Sequence, residues 1–341
     1  MKLSLLSVCI IVLLSNCTPQ PPERNIIHDI DGNPKPWTDD YFEQGEKDFT
    51  FAIIADLTGG ERSKIFEIAV EQLNMLEPDF VLSVGDLIEG GTRDVNQLTK
   101  EWDSFGQRAR KLTMPFFYLG GNHDLSNPTM QEYWQQNIGP LYYHFVLDDV
   151  LFLMLDSEDF APEKMREVDS VRTIALNILA GKTPGVYEET AYYALPERST
   201  GAMSQAQHDY FSKVIEANQN VKWTFVLMHK PLYTRSDAKG LQPLLNELAD
   251  RNFTVINGHE HAMQHQVKQG MDFMMLGTTG GYQNPLDQRA FDHITLVRMA
   301  ETPVITHLRL DGILNKQGLI PLGGDTISFQ ASRDIQAMPG E

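Results

Sequence analysis

Cysteine is nearly missing from this chain of 341 residues: it occurs twice, at Cys9 and Cys17. Both precede the stretch patterned like a folded domain, so that domain has neither disulfides nor thiolate metal ligands. Membrane-spanning apolar length is missing as well. The apolar run at residues 3–14, just after Lys2, is too short to cross a bilayer as a helix. Clusters of Lys and Arg are also lacking, and 46 acidic against 28 basic residues leave a formal charge of −18. Sequence-specific nucleic-acid binders carry a basic face, so that class is excluded. An acidic chain that handles phosphorylated molecules must offset its own repulsion locally, and bound divalent metals do that.

The short apolar run behind a lysine reads as a secretory signal peptide over residues 1–16. It ends in Leu14-Ser15-Asn16-Cys17, which resembles the lipobox of bacterial lipoproteins. The expectation is an exported bacterial protein, periplasmic or at the cell surface, held to the envelope membrane by lipid on Cys17. Pro19, Pro21, Pro22, Pro34 and Pro36 fall among polar residues, so residues 17–45 are expected to form an extended tether.

From residue 49 onward, short apolar runs alternate with amphipathic helical stretches, the pattern of an α/β domain over residues 46–311. Strands are expected at 49–55, 80–84, 115–119, 223–228, 253–256, 271–276, 294–297 and 304–310. A hairpin over 142–155 turns at Asp148-Asp149. Helices are expected at 63–76 and 96–110 and after Pro128. Another opens with a capping box formed by Ser204 and Gln207. Residues 157–201 read as an insertion over the core, a lid or recognition loop. Residues 312–341 read as a tail.

Five apolar runs lead directly into polar residues suited to metals. Asp56 follows the first, Gly85-Asp86 the second and Gly120-Gly121-Asn122-His123-Asp124 the third; His229 and Asn257-Gly258-His259-Glu260-His261 follow the others. Ligands of open α/β sheets bind beyond the carboxyl ends of the strands, so these side chains are expected to converge. Gly85, Gly121 and Gly258 are expected to permit the tight turns. Carboxylates, an amide and imidazoles without thiolates suit Mn, Fe or Zn. Two such ions clamp the oxygens of an in-line displacement and bring the pKa of a water down to about 7. The histidines at 28, 144, 208, 265, 293 and 307 lie outside this series and read as surface or packing residues.

The order Asp, Gly-Asp, Gly-Asn-His-Asp, His, Gly-His-x-His resembles the calcineurin-like metallophosphoesterase family over about 49–310. The resemblance implies two mixed β-sheets packed as a sandwich flanked by helices. It also implies hydrolysis of phosphate mono- or diesters by hydroxide on a dinuclear metal site. Asp86 would bridge two divalent or trivalent ions (Mn, Fe or Zn). Asp56 and His261 would serve the first ion, and Asn122, His229 and His259 the second. His123 would act at the leaving group, with Asp124 orienting its ring. Two positions depart from the pattern. Thr58 stands where the family often has a histidine ligand, and Glu89 where the branch resembling purple acid phosphatases has a tyrosine. The alternative is therefore a degenerate envelope domain that binds metal or phosphate without turnover. The substrate is expected to be a phosphorylated small molecule or macromolecule.

Overall fold

The computed structural model describes residues 26–39, 42 and 48–323. The expected signal peptide, Cys17 and residues 324–341 of the expected tail lie outside the described residues. Strands β1 (Phe49–Ile54), β2 (Phe80–Ser83) and β3 (Phe116–Phe117) run parallel in one sheet. Helices α1 (Ile65–Leu76) and α2 (Val95–Ala109) alternate with them, and α3 (Asn122–Leu125) and α4 (Pro128–Asn137) follow β3. A hairpin, β4 (Tyr143–Leu147) and β5 (Val150–Met154), starts a second sheet, turning at Asp148 and Asp149, both with left-handed backbone.

The 157–201 stretch is largely helical, with α5 (Pro162–Leu179) and α6 (Pro196–Thr200); α7 (Gln205–Ala217) comes next. Then follow β6 (Trp223–Leu227), α8 (Gln242–Glu247), β7 (Phe253–Asn257), β8 (Gln264–Lys268), β9 (Met271–Met275), β10 (His293–Met299) and β11 (Pro303–Arg309). The sheets have the orders β11-β10-β1-β2-β3 and β4-β5-β6-β7-β9-β8, and both mix parallel and antiparallel pairs. This is the sandwich that the family resemblance implied.

Alternation along the strands explains the layers. Phe51, Ile53, Phe80 and Leu82 point between the sheets, where they meet Phe145, Phe152, Phe225 and Leu227. Their neighbours Ala52, Ile54 and Val81 face outward beneath α1 and α2. Likewise Leu151, Leu153 and Val226 pack with Phe211 and Val214 of α7. Phe51 stacks on Phe80 at 5.2 Å and meets Phe152 edge-on at 5.2 Å. Such ring pairs add about 0.5–1.5 kcal/mol each beyond their burial. The aromatic interlayer thereby keeps the strand ends of both sheets in fixed register.

Several boundaries differ from expectation. The described part of the expected tether, residues 26–39 and 42, packs on the domain: Ile27 bridges Val146, Trp37 bridges Phe117, and Trp37 and Phe42 are buried in the interlayer core. Two aromatic side chains make that segment part of the fold despite its prolines. The start of the expected tail also packs, with Ile320 buried beside α1. The capping box is half formed: Ser204 accepts from the Gln207 amide at 3.2 Å. The Gln207 side chain bonds Asp156 and Asp159 instead. Among the described residues, no helix is long and apolar enough to cross a membrane.

Candidate metal centre

All six expected ligands meet at the carboxyl ends of strands from both sheets. Asp56 follows β1, Asp86 follows β2, Asn122 opens α3 after β3, His229 follows β6, and His259 and His261 follow β7. The donor atoms of Asp56, Asp86 and His261 lie within 4.8 Å of one another, as do those of Asp86, His229 and His259. Asp86 belongs to both groups. Asn122 joins the second, its Oδ1 lying 3.2 Å from His229 Nε2.

One ring nitrogen of each imidazole is held by a backbone carbonyl. His229 Nδ1 meets Val84 O at 2.9 Å, His259 Nε2 meets Arg198 O at 2.9 Å, and His261 Nδ1 meets Tyr282 O at 2.6 Å. A carbonyl only accepts, so each of those nitrogens carries the proton and the other is the available donor atom. The available nitrogens of His229 and His261 approach carboxylates, at 3.1 Å from Asp86 Oδ2 and 3.3 Å from Asp56 Oδ1.

The donor chemistry suits bound cations better than it suits an empty cluster of side chains. Oδ2 of Asp56 is buried and makes no hydrogen bond, and an unpaired buried carboxylate oxygen is costly. Asp56, Asp86, His259 and His261 all have left-handed backbone, with φ of 44°, 59°, 81° and 53°. Such strain persists where the surroundings over-determine it, and it gathers at functional sites. Burial alone would raise the Asp86 carboxyl, but His229 and then His123 beside it hold it below the usual carboxylate range. For His229 burial opposes the charge, but Asp86 outweighs it and pushes the ring up to about 9, so the proton shared between Nε2 and Asp86 is what a cation at these donors would displace.

The glycines act in two different ways. Gly85 does adopt the left-handed turn, with φ of 97°. Gly121 is needed for close approach instead, since a Cβ there would lie 2.2 Å from Asp86 Oδ1; a Cβ on Gly258 would lie 2.3 Å from Asp56 Oδ2.

The role expected for Asp124 is corrected. Its carboxylate accepts amide hydrogens from Asp86 at 2.7 Å, Gly121 at 2.8 Å, Leu87 at 3.0 Å and Ile88 at 3.1 Å. It therefore ties the loop after β2 to the loop after β3. The His123 ring is oriented by the Glu89 carbonyl, 2.7 Å from Nδ1. Burial, then the charge of Asp86, pushes Asp124 up to about 7.

The two departures are structural here. Thr58 is buried and donates from Oγ1 to Ile88 O at 2.8 Å, fastening the same loop. Glu89 accepts from the amides of Gly60 and Glu61 at 3.0 and 2.8 Å.

Sequence reasoning missed Arg62 and Asp292. This buried pair, at 2.5 Å, braces the segment that presents Tyr282 O to His261; Arg62 Nε also donates to Gly281 O at 2.8 Å. The missed backbone carbonyls have no side-chain signature at all. A cleft of about 600 Å³ opens over Asn122, His259 and His261, walled by Arg172, Tyr187 and Arg198 of the insertion. A second cleft, of about 370 Å³, reaches His123 and Glu89; the two share Arg172, Leu176 and Tyr282.

An α/β sandwich with oxygen and nitrogen donors gathered over its strand ends is the frame of a metal-dependent hydrolase of phosphate esters. The sequence model of the calcineurin-like phosphoesterases matches residues 49–263, and the chain belongs to that family. Manganese-dependent ADP-ribose/CDP-alcohol diphosphatases of Xenopus tropicalis and Xenopus laevis are 25% and 22% identical to it. Each alignment covers 54% of this chain, and they cover 68% and 65% of the two relatives. Among solved structures, a dimetal phosphatase from Danio rerio matches with a TM-score of 0.52 at 14% identity, over 76% of this chain and 96% of that one. The purple acid phosphatase PPD1 of yellow lupin, Lupinus luteus, matches with a TM-score of 0.53 at 12% identity, over 81% and 54%. These two show the likeness of fold.

Proposed function

We propose that the protein hydrolyses phosphate mono- or diesters with two metal ions. Asp56, Asp86 and His261 would hold one ion, and Asp86, Asn122, His229 and His259 would hold the other. The observation that carries this reading is the membership of Asp86 in both donor groups. Bound there, the pair supplies a water acidic enough to ionise near neutral pH and positive charge for the phosphate oxygens. The donor chemistry suits manganese, iron or zinc, and the name of the frog relatives puts manganese first among them. That name also describes substrates joined through a diphosphate.

The other groups bind and orient. The His123 amide donates to Asp86 Oδ1 at 2.8 Å, so backbone and bridging carboxylate are fixed together. With Nδ1 held by Glu89 O, Nε2 of His123, a buried atom, is the one that would meet the substrate. When the ring is protonated, this atom gives a proton to the departing oxygen. Asp124 keeps both loops in place without touching substrate.

The test is hydrolysis of chromogenic mono- and diester substrates by protein stripped of metal and reloaded with manganese. Turnover that depends on the metal is expected. Metal binding without turnover of either ester, across several metals, would instead favour the degenerate binding domain.

The site of action proposed is outside the cytoplasm, on a lipid anchor. The short apolar run and Cys17 support it. The Cys17→Ser variant is expected to move from the membrane fraction to the soluble one, and unchanged membrane association would remove the anchor from the account.

A further inference from the structure

The cleft over the metal donors continues beneath the insertion, and its charge runs against that of the molecule. The chain carries −18, yet Arg172, Arg198 and Arg289 line this cleft with only Glu260 and Asp287 as acidic company. Asp287 is already bound by Arg289, at 2.7 Å. Arg198 has no carboxylate partner among the described residues. Its guanidinium lies 4.6 Å from the centre of the Tyr193 ring, and its Nε donates to the Tyr193 carbonyl at 3.4 Å. No described residue takes up its Nη donors. A guanidinium braced on an aromatic face is a preorganised fork for an oxyanion.

The same residue also touches the metal centre through its backbone, since its carbonyl holds His259 Nε2 at 2.9 Å. The distance from metal ligand to cleft wall is therefore set within one residue. The scissile phosphate has the metal donors and His123 around it. A cation on the insertion meets charge that lies further along the substrate.

We propose that Arg198 binds a second anionic group of the substrate, beyond the phosphate under attack, and so selects esters that carry adjacent phosphates. The proposal rests on the phosphoesterase reading above. Asn122, His259 and His261 mark the end of the cleft where the ester is cleaved, and Arg198 the wall where the remaining phosphate is held. Arg172, buried and engaged by neighbours of its own, lines the same wall. Within an acidic molecule, a local cationic wall separates doubly charged ligands from singly charged ones.

The test compares two anions on manganese-loaded protein at a fixed free-manganese level. Inorganic phosphate and inorganic pyrophosphate are titrated by calorimetry into the native chain, Arg198→Gln and Arg198→Lys. The native chain is expected to prefer pyrophosphate by at least roughly tenfold, the worth of one hydrogen bond to a charged group. Arg198→Gln should lose most of that preference. Arg198→Lys should retain part, because it keeps the charge but not the planar fork.

An unchanged preference in Arg198→Gln would overturn the proposal. Equal weakening of both anions would overturn it too, since that is the signature of a residue acting only through the His259 contact. The underlying reading fails on a separate observation: absence of ester turnover by the native chain, whatever the anion titrations show.

Discussion

The strand ends of the two sheets and the insertion at 157–201 both reach the metal centre, but with different parts of the chain. The strand ends contribute side chains. Asp56, Asp86, Asn122, His229, His259 and His261 each lie a few residues beyond a buried strand, and the aromatic interlayer fixes those strands. The insertion contributes a backbone carbonyl, that of Arg198, and a cationic cleft wall. It has its own small core of Val168, Ala175, Tyr187 and Tyr192. Buried contacts pin it to the domain: Lys230 meets Glu158 at 2.7 Å and the Glu197 carbonyl at 2.9 Å. The candidate donors sit on the rigid frame, while a backbone carbonyl and the cleft wall come from a helical element pinned beside it.

Removing a shared donor should break this division most completely. Asp86→Asn takes a charge from both donor groups, and hydrolysis is expected to fall on the order of 10³-fold, the scale of losing a preorganised electrostatic group. Steady-state kinetics with a circular-dichroism check of the fold measures it. His259→Ala touches one group only and should fall less, by roughly 10²-fold. If it fell as far as Asp86→Asn, the two groups would not be separable.

The insertion's share is sharpened by a change that leaves every donor side chain in place. Gly201 ends α6 with φ of 62°, and a Cβ there would lie 2.4 Å from Ser157 O. Gly201→Ala should therefore shift the turn that carries Arg198 O. Metal affinity is expected to weaken by roughly 10-fold, the low end for losing an outer-shell contact to a ligand. Equilibrium manganese titration reads this directly, and an unchanged affinity would cut the insertion out of the metal centre.

The smallest effect concerns the frame alone. Burial, with His307 beside it, pushes His293 on β10 down to about 3. The folded chain refuses a proton that the unfolded chain accepts near pH 6.5. Stability is thus complete above pH 6.5, and this group removes it as pH falls towards 3, at up to about 1.4 kcal/mol per pH unit. Urea unfolding at pH 8 and pH 5 should show the loss, and His293→Gln should flatten it.

The gathering of these six side chains was legible because each combines a short apolar run with a polar residue, two local signals that coincide. The hairpin at Asp148-Asp149 was legible for a similar reason. The role of Asp124 was not, since its partners are backbone amides of residues 86–88 and 121, and amides look alike in any sequence. Helix α5 escaped because charges interrupt its buried stripe of Met165, Val168, Arg172 and Ala175. Strand β8 escaped because it is polar and half-exposed, paired only with β9. The packing of Trp37 and Phe42 was hidden by the surrounding prolines.

The central claim is that Asp86 belongs to two metal sites at once. Electron paramagnetic resonance of the stripped protein during manganese titration tests it most directly. The account predicts two ions per chain and an exchange-coupled spectrum at saturation, with Asp86→Asn abolishing the coupling. Saturation at one ion, or two ions with an uncoupled spectrum, would contradict it.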